Sequence, residues 1–162
     1  MRLSEYTDYT LRVLMYCAQH PGQRVTIAEI AERHTVSKNH LMKVVNALAR
    51  LGWIETARGR GGGLALLADP AGLSIGEVVR ACETDFRLVE CFDGTVNECT
   101  LAPGCRLKQT FDAALQGFFR ELDTTTLADI SAEAAPTRHA HARPMKGPVS
   151  RARAGAGTER AR

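Results

Sequence analysis

No stretch of this chain approaches the roughly 20 consecutive apolar residues that a membrane-spanning helix needs. The first apolar run, Leu11 to Ala18, is short, follows Asp8 and contains Arg12, which is not the pattern of a secretory leader. A cytoplasmic location is therefore expected. No two cysteines fall two to four residues apart, so the paired ligands of a structural zinc site are missing. The glycine-rich stretch at 59–63 lacks the Gly-Lys-Ser/Thr ending of a nucleotide loop, and no helix follows it directly. Neither a Ser/His/Asp arrangement nor a convincing carboxylate pair is visible, so no enzyme is expected.

What remains is uneven in charge. The chain has 162 residues, 44% of them hydrophobic, and a net charge of +3. Residues 1–67 carry nine basic and five acidic side chains, net +4, whereas residues 68–132 carry five and eleven, net −6. Residues 133–162 return to net +5 with almost no large apolar side chains, and read as a disordered basic tail. A basic head on an acidic middle implies that the head alone approaches phosphate.

Apolar spacing and caps place the elements. Ser4 to His20 reads as a first helix with Leu11, Leu14, Met15 and Ala18 on one side, ended by Pro21-Gly22. Thr26-Ile27-Ala28-Glu29 is a capping-box pattern opening a second helix through Arg33. Ser37 is positioned as the N-cap of a third helix running to about Leu51. Its Leu41, Val45 and Leu48 form one stripe, flanked by Val44 and Leu51. Asn39, Lys43, Asn46 and Arg50 form another. Trp53 to Arg58 and Leu64 to Ala68 read as two strands around Gly59-Arg60-Gly61-Gly62-Gly63, a thin turn that carries Arg58 and Arg60. Ser74-Ile75-Gly76-Glu77 opens another helix. From about Cys105 to Leu122, Leu107, Phe111, Ala114, Phe118 and Leu122 follow at steps of four, three, four and four, a coiled-coil-like seam that suits a two-fold partner, with packing onto its own domain as the alternative. A short helical piece follows from Thr126 to about Ala132.

The fold class expected is mainly α with a small β-hairpin wing: a winged helix-turn-helix domain plus a long dimerisation helix. Its parts are a DNA-binding domain at 1–68, a helix and cluster-binding loop at 69–104, a dimerisation helix and C-terminal helical piece at 105–132, and the tail at 133–162. The third helix should enter the major groove of double-stranded promoter DNA, reading with Ser37, Lys38, Asn39, His40 and Lys43. Asn suits adenine edges and Lys suits guanine edges or phosphate. Arg58 and Arg60 suit the negative potential of a narrow minor groove.

Cys91, Cys99 and Cys105 lie on the irregular stretch before the long helix, spaced C-x7-C-x5-C. Thiolates hold zinc or an iron–sulfur cluster. Wide spacing suits a multi-iron cluster better, [4Fe-4S] ahead of [2Fe-2S]. Three cysteines leave a fourth ligand to find. Cys82 and Cys17 fall on apolar helix faces and read as core thiols. Glu90, Asp93, Glu98 and Asp8 are the oxygen candidates, while His139 and His141 sit in the tail. An oxygen ligand would bind iron less tenaciously than sulfur and mark where a small molecule enters.

These residues resemble the Rrf2 family of winged helix-turn-helix repressors over roughly residues 1–132. The resemblance is carried by Thr7-Asp8-Tyr9 with Leu11-Arg12, Val36 through Lys43, Arg58 through Gly63, and Ile75 through Val79. Cys105-Arg106-Leu107-Lys108-Gln109, Leu122-Asp123 and Thr126 through Asp129 look most like its nitric-oxide-sensitive branch. The iron–sulfur-assembly branch has a ligating histidine where this chain has Lys108. The resemblance implies a homodimer with a cluster in each subunit, held by Cys91, Cys99 and Cys105 with Asp8 from the opposite subunit. It also implies release of DNA when nitric oxide attacks that cluster. The readings that compete are a family member sensing cluster supply, iron or redox state, an iron–sulfur electron carrier, and a zinc-stabilised DNA-binding protein.

Overall fold

The structure, a computed structural model, describes residues 2–89, Phe92 and 104–132. Cys91, Cys99, the acidic residues Glu90, Asp93 and Glu98, and the basic tail lie outside the described residues. Six helices and one hairpin follow in chain order among those described.

Helix α1 (Glu5–Ala18) starts at Ser4, whose hydroxyl accepts from Thr7 N at 3.3 Å. Its buried residues are Thr7, Thr10, Val13, Leu14 and Cys17, so the face differs from the stripe read in the sequence. Only Leu14 is common to both; Leu11, Met15 and Ala18 pack half-buried at the core's edge. The cause is that α1 is the central helix. It touches α2, α3, α4, α6 and the hairpin. Small threonines let these neighbours approach closely.

Helix α2 (Ile27–His34) begins with the expected reciprocal box, Thr26 with Glu29. Thr35 then turns the chain with φ of 55°, and α3 (Lys38–Arg50) begins after Ser37. Ser37 occupies the N-cap position, but its hydroxyl makes no capping bond. Leu41, Val44, Val45 and Leu48 are buried, as the stripe predicts. Leu51 is not: it lies past the helix end and is 49% exposed.

The hairpin pairs β1 (Ile54–Ala57) with β2 (Gly63–Leu66) antiparallel, with Ile54 opposite Leu66 and Ala57 opposite Gly63. Both strands are shorter than the sequence suggests. Val25, before α2, adds a bridge to Leu64, so the hairpin is three strands wide near its turn. Gly63 is required there, since a Cβ would fall 2.6 Å from the Val25 carbonyl oxygen.

Helix α4 (Ile75–Cys82) is capped by the Ser74 hydroxyl, which accepts from Glu77 N at 3.1 Å. Helix α5 (Arg106–Thr124) packs against α4, yet no residue of α5 is buried. A bidentate pair joins them: Arg80 Nη1 and Nη2 donate to Asp123 at 2.5 and 2.8 Å. The Arg80 guanidinium also lies 4.2 Å over the Phe119 ring. Helix α6 (Leu127–Ser131) is opened by a Thr126–Asp129 capping box and turns back onto α1. Leu127 is fully buried in the same core as Val13, Leu14, Ile30, Leu41 and Leu48.

Candidate nucleic-acid and cluster site

Two of the expected groups can be placed, on two sides of α1. On one side, Ser37, Lys38, Asn39, His40 and Lys43 are all exposed, as are Asn46 and Arg50 further along α3. The core stripe of Leu41, Val44, Val45 and Leu48 anchors the opposite face, so these polar side chains project from a fixed rod. His40 stacks against Tyr9 of α1, ring centroids 6.0 Å apart. Arg58 and Arg60 are exposed at the hairpin tip, where Gly59 and Gly61 take φ of 90° and 76°. An ion pair between Arg24 and Glu55 braces the hairpin base. The result is a helix rich in donors beside a thin basic loop, an arrangement that can lie along two grooves of a polyanion.

On the other side, Asp8 projects from the first turns of α1 and pairs with Arg12 at 2.9 Å, both side chains substantially exposed. They line an open cavity of about 440 Å³ with Arg2, His34 and Thr35. That cavity brings Asp8 next to the turn between α2 and α3. His34 titrates below its ordinary value. Burial is the main cause, Arg12 and Arg33 add to it, and Asp8 opposes.

Of the three loop cysteines, Cys105 alone is described. It is half-buried and free, at the N-cap position of α5, where the helix dipole favours negative charge. Its side chain makes no capping bond, so the sulfur is available to a metal. Among the described residues, no three His, Cys, Asp or Glu side chains come together to hold a metal ion. The donor chemistry nevertheless fits an iron–sulfur group: a sulfur at one end, and on α1 an exposed carboxylate that leaves its Arg12 partner without disturbing the core. The remaining thiols read as core in the sequence differ. Cys17 is buried, which pushes its thiol up to about 11. Cys82 is half-buried at the core's edge and is also raised by burial.

Glu83 was not singled out in the sequence. Its carboxylate Oε1 accepts from Thr7 Oγ1 at 2.5 Å, Ser4 N at 2.6 Å and Ser4 Oγ at 2.9 Å. Burial works to raise this carboxyl, but the bonds from Thr7 and Ser4 outweigh it and hold the group below its usual range. Glu83 thus ties the start of the Asp8 helix to the residue that follows α4. Its partners are 76 and 79 positions away, so no local spacing could have revealed it.

Comparison with known proteins agrees with this architecture. The Rrf2 family, described as an iron-dependent transcriptional regulator, matches residues 3–133. A Bacillus subtilis protein named HTH-type transcriptional regulator NsrR is 50% identical over 131 residues, covering 80% of this chain and 90% of that protein. A Geobacillus kaustophilus protein of the same name is 45% identical over 139 residues, 85% and 95% of the two chains. Among solved structures, Staphylococcus aureus CymR in its oxidised form aligns with a TM-score of 0.67 at 24% identity, covering 83% of this chain and 98% of that one. The T. potens IscR structure aligns with a TM-score of 0.63 at 24% identity, 80% and 85% covered. The relatives are regulators rather than enzymes, and the chain belongs to the Rrf2 family of winged-helix transcriptional regulators.

Proposed function

We propose that this chain is a homodimeric repressor that holds promoter DNA until nitric oxide reaches an iron–sulfur cluster in each subunit. The observation that carries the reading is 50% identity over 131 residues to a regulator named NsrR. Lys108 supports that branch, because an ammonium is a poor iron ligand at the position where the assembly branch uses histidine.

In this reading Ser37, Lys38, Asn39, His40 and Lys43 face the major groove, and Arg58 and Arg60 enter the flanking minor groove. Most of their bonds go to phosphate and set register, while base edges give sequence. Cys91, Cys99 and Cys105 hold the cluster and Asp8 of the partner subunit completes it. A bound cluster would supply iron that reacts with nitric oxide. [4Fe-4S] is preferred over [2Fe-2S]. The carboxylate, a harder donor than thiolate, would bind iron less tenaciously and so mark the iron open to a small molecule. Arg12, one turn along α1, is the cation within reach of Asp8, at 2.9 Å, and would compete with iron for its carboxylate. Without Asp8 as a ligand, the two DNA-reading heads lose their fixed angle. A coupling of about 3 kcal/mol would change affinity roughly 150-fold, enough to switch a promoter.

The test is anaerobic purification with iron and sulfide counts and Mössbauer spectra, followed by promoter binding during titration with nitric oxide, superoxide or an iron chelator. Release by nitric oxide at stoichiometric cluster supports the reading. Release only by chelator or superoxide would favour a sensor of iron or redox state, which the family's description as iron-dependent also admits. Colourless protein with stoichiometric zinc would overturn both. Asp8→Ala should retain cluster yet bind promoter DNA with an affinity that no longer depends on cluster state. Unchanged dependence would remove Asp8 from the scheme.

A further inference from the structure

Four large apolar side chains are exposed among the described residues: Met42, Leu51, Leu67 and Leu107. Three have ordinary settings, past the end of α3, past the end of β2, and on the open seam of α5. Met42 does not. It is 50% exposed in the first turns of α3, between Asn39 and Lys43. The helical step of about 100° puts it roughly 60° from Asn39 and about 40° from Asn46. On its other flank Val45, the edge of the core stripe, is also about 60° away, while Leu41, Val44 and Leu48 lie about 100–160° off. Met42 therefore stands at the border of the outward surface, half exposed beside the polar side chains that would reach base edges.

An apolar side chain among donors needs an apolar counterpart if that surface is covered. A protein partner would be poorly served by a surface otherwise made of Lys38, Asn39, Lys43 and Asn46. In the major groove, base edges present donors, acceptors and one apolar feature, the C5-methyl group of thymine. The unbranched thioether of methionine is polarisable and has several rotatable bonds, so it can settle over such a methyl. We propose that Met42 is a sequence-reading residue that covers a thymine methyl in each half-site, beside the base met by Asn39. This rests on the DNA-binding reading above and adds to it a preference at one base position.

The experiment uses the full-length, cluster-loaded protein and a DNA site it selects from a random pool. Each thymine of one half-site is replaced in turn by deoxyuridine, which removes the methyl group alone. With the unaltered protein, one replacement should lower affinity about four-fold, equal to about 0.8 kcal/mol for one methyl group removed from water. With Met42→Ala the same replacement should cost nothing, because the contact is already gone. Met42→Leu should keep the penalty, and Met42→Gln, of similar length but polar, should lose it. Retention of that penalty in Met42→Ala, or no penalty at any thymine with the unaltered protein, would overturn the proposal while leaving the repressor reading intact. Absence of any sequence-selective binding by the unaltered protein would overturn both. Met42 is half exposed and alanine is a good helix former, so the variant keeps its fold.

Discussion

Gly76 shows how one residue can join two elements. It sits on the second position of α4 with no positive φ, so backbone freedom is not its purpose. A Cβ there would overlap the Asp123 carboxylate and lie 2.9 Å from Arg80 Nη1. The absence of a side chain is what lets Arg80 and Asp123 meet between α4 and α5. In an open helix, replacing glycine by alanine stabilises by roughly 1 kcal/mol. Gly76→Ala should forfeit that gain, because the exposed Arg80–Asp123 pair has to swing away from the new methyl. Exposed ion pairs are typically worth about 0–1 kcal/mol, so the net change should lie near zero. Urea denaturation of Gly76→Ala measures it directly. The same substitution in an Asp123→Ser background should keep more of the gain, since the overlapping group is shortened. A Gly76→Ala stabilised by the full gain would mean that the Arg80–Asp123 pair contributes nothing to holding α5 on α4. The pair that Gly76 admits also explains the charge of its partners: Asp123 is held below its ordinary range by the bonds from Arg80.

At the level of elements, local chemistry decides where helices start. Thr26 N and the Thr26 hydroxyl both donate to Glu29, at 2.6 and 3.0 Å, and the Glu29 carboxyl lies below its ordinary value because of those bonds. Its folded value is thus lower than its unfolded one. The resulting stabilisation is present above the unfolded value of 4.5 and is lost as pH falls through the lower folded value. Glu29→Gln removes that titration while keeping an amide able to cap. The difference in urea midpoint between about pH 5 and about pH 3 should therefore shrink in Glu29→Gln. An unchanged difference would place the acid lability in other carboxylates. Such caps were legible in the sequence because donor and acceptor are three residues apart. So was the two-faced α3, whose apolar stripe has a single wall to meet. The face of α1 was not legible, because a helix surrounded by several elements buries small polar residues such as Thr7 and Thr10, and periodicity gives these no weight. Glu83 and the Arg80–Asp123 pair were invisible for a different reason: their partners are joined by tertiary folding alone. Of the three cysteines expected to hold a cluster, only Cys105 falls among the described residues.

Across the whole molecule, one helix is left incomplete. Helix α5 runs for 19 residues without a buried side chain. Its inner side is held by Asp123 on Arg80 and by Phe119, which meets Phe86 edge-on at 4.8 Å. The seam read in the sequence lies elsewhere on it: Leu107 is 61% exposed, and Phe111, Phe118 and Leu122 are half covered. A helix anchored on one side and apolar on another is suited to a second copy of itself, and a two-fold protein suits a two-fold site on DNA. Phe111→Asp would place a carboxylate in that seam while leaving Arg80, Asp123 and Phe119 in place. It should sediment as a monomer at concentrations where the unaltered protein is a dimer, with unchanged helical circular dichroism. Promoter affinity should drop by at least a hundred-fold, since each head would then bind without the effective concentration supplied by its twin. If, as proposed, Asp8 of the partner subunit is a ligand, iron retained by Phe111→Asp should also be more easily removed by chelator. If the unaltered protein binds promoter DNA as a monomer, or Phe111→Asp remains dimeric, the seam is not the subunit junction and the cross-subunit role of Asp8 falls with it.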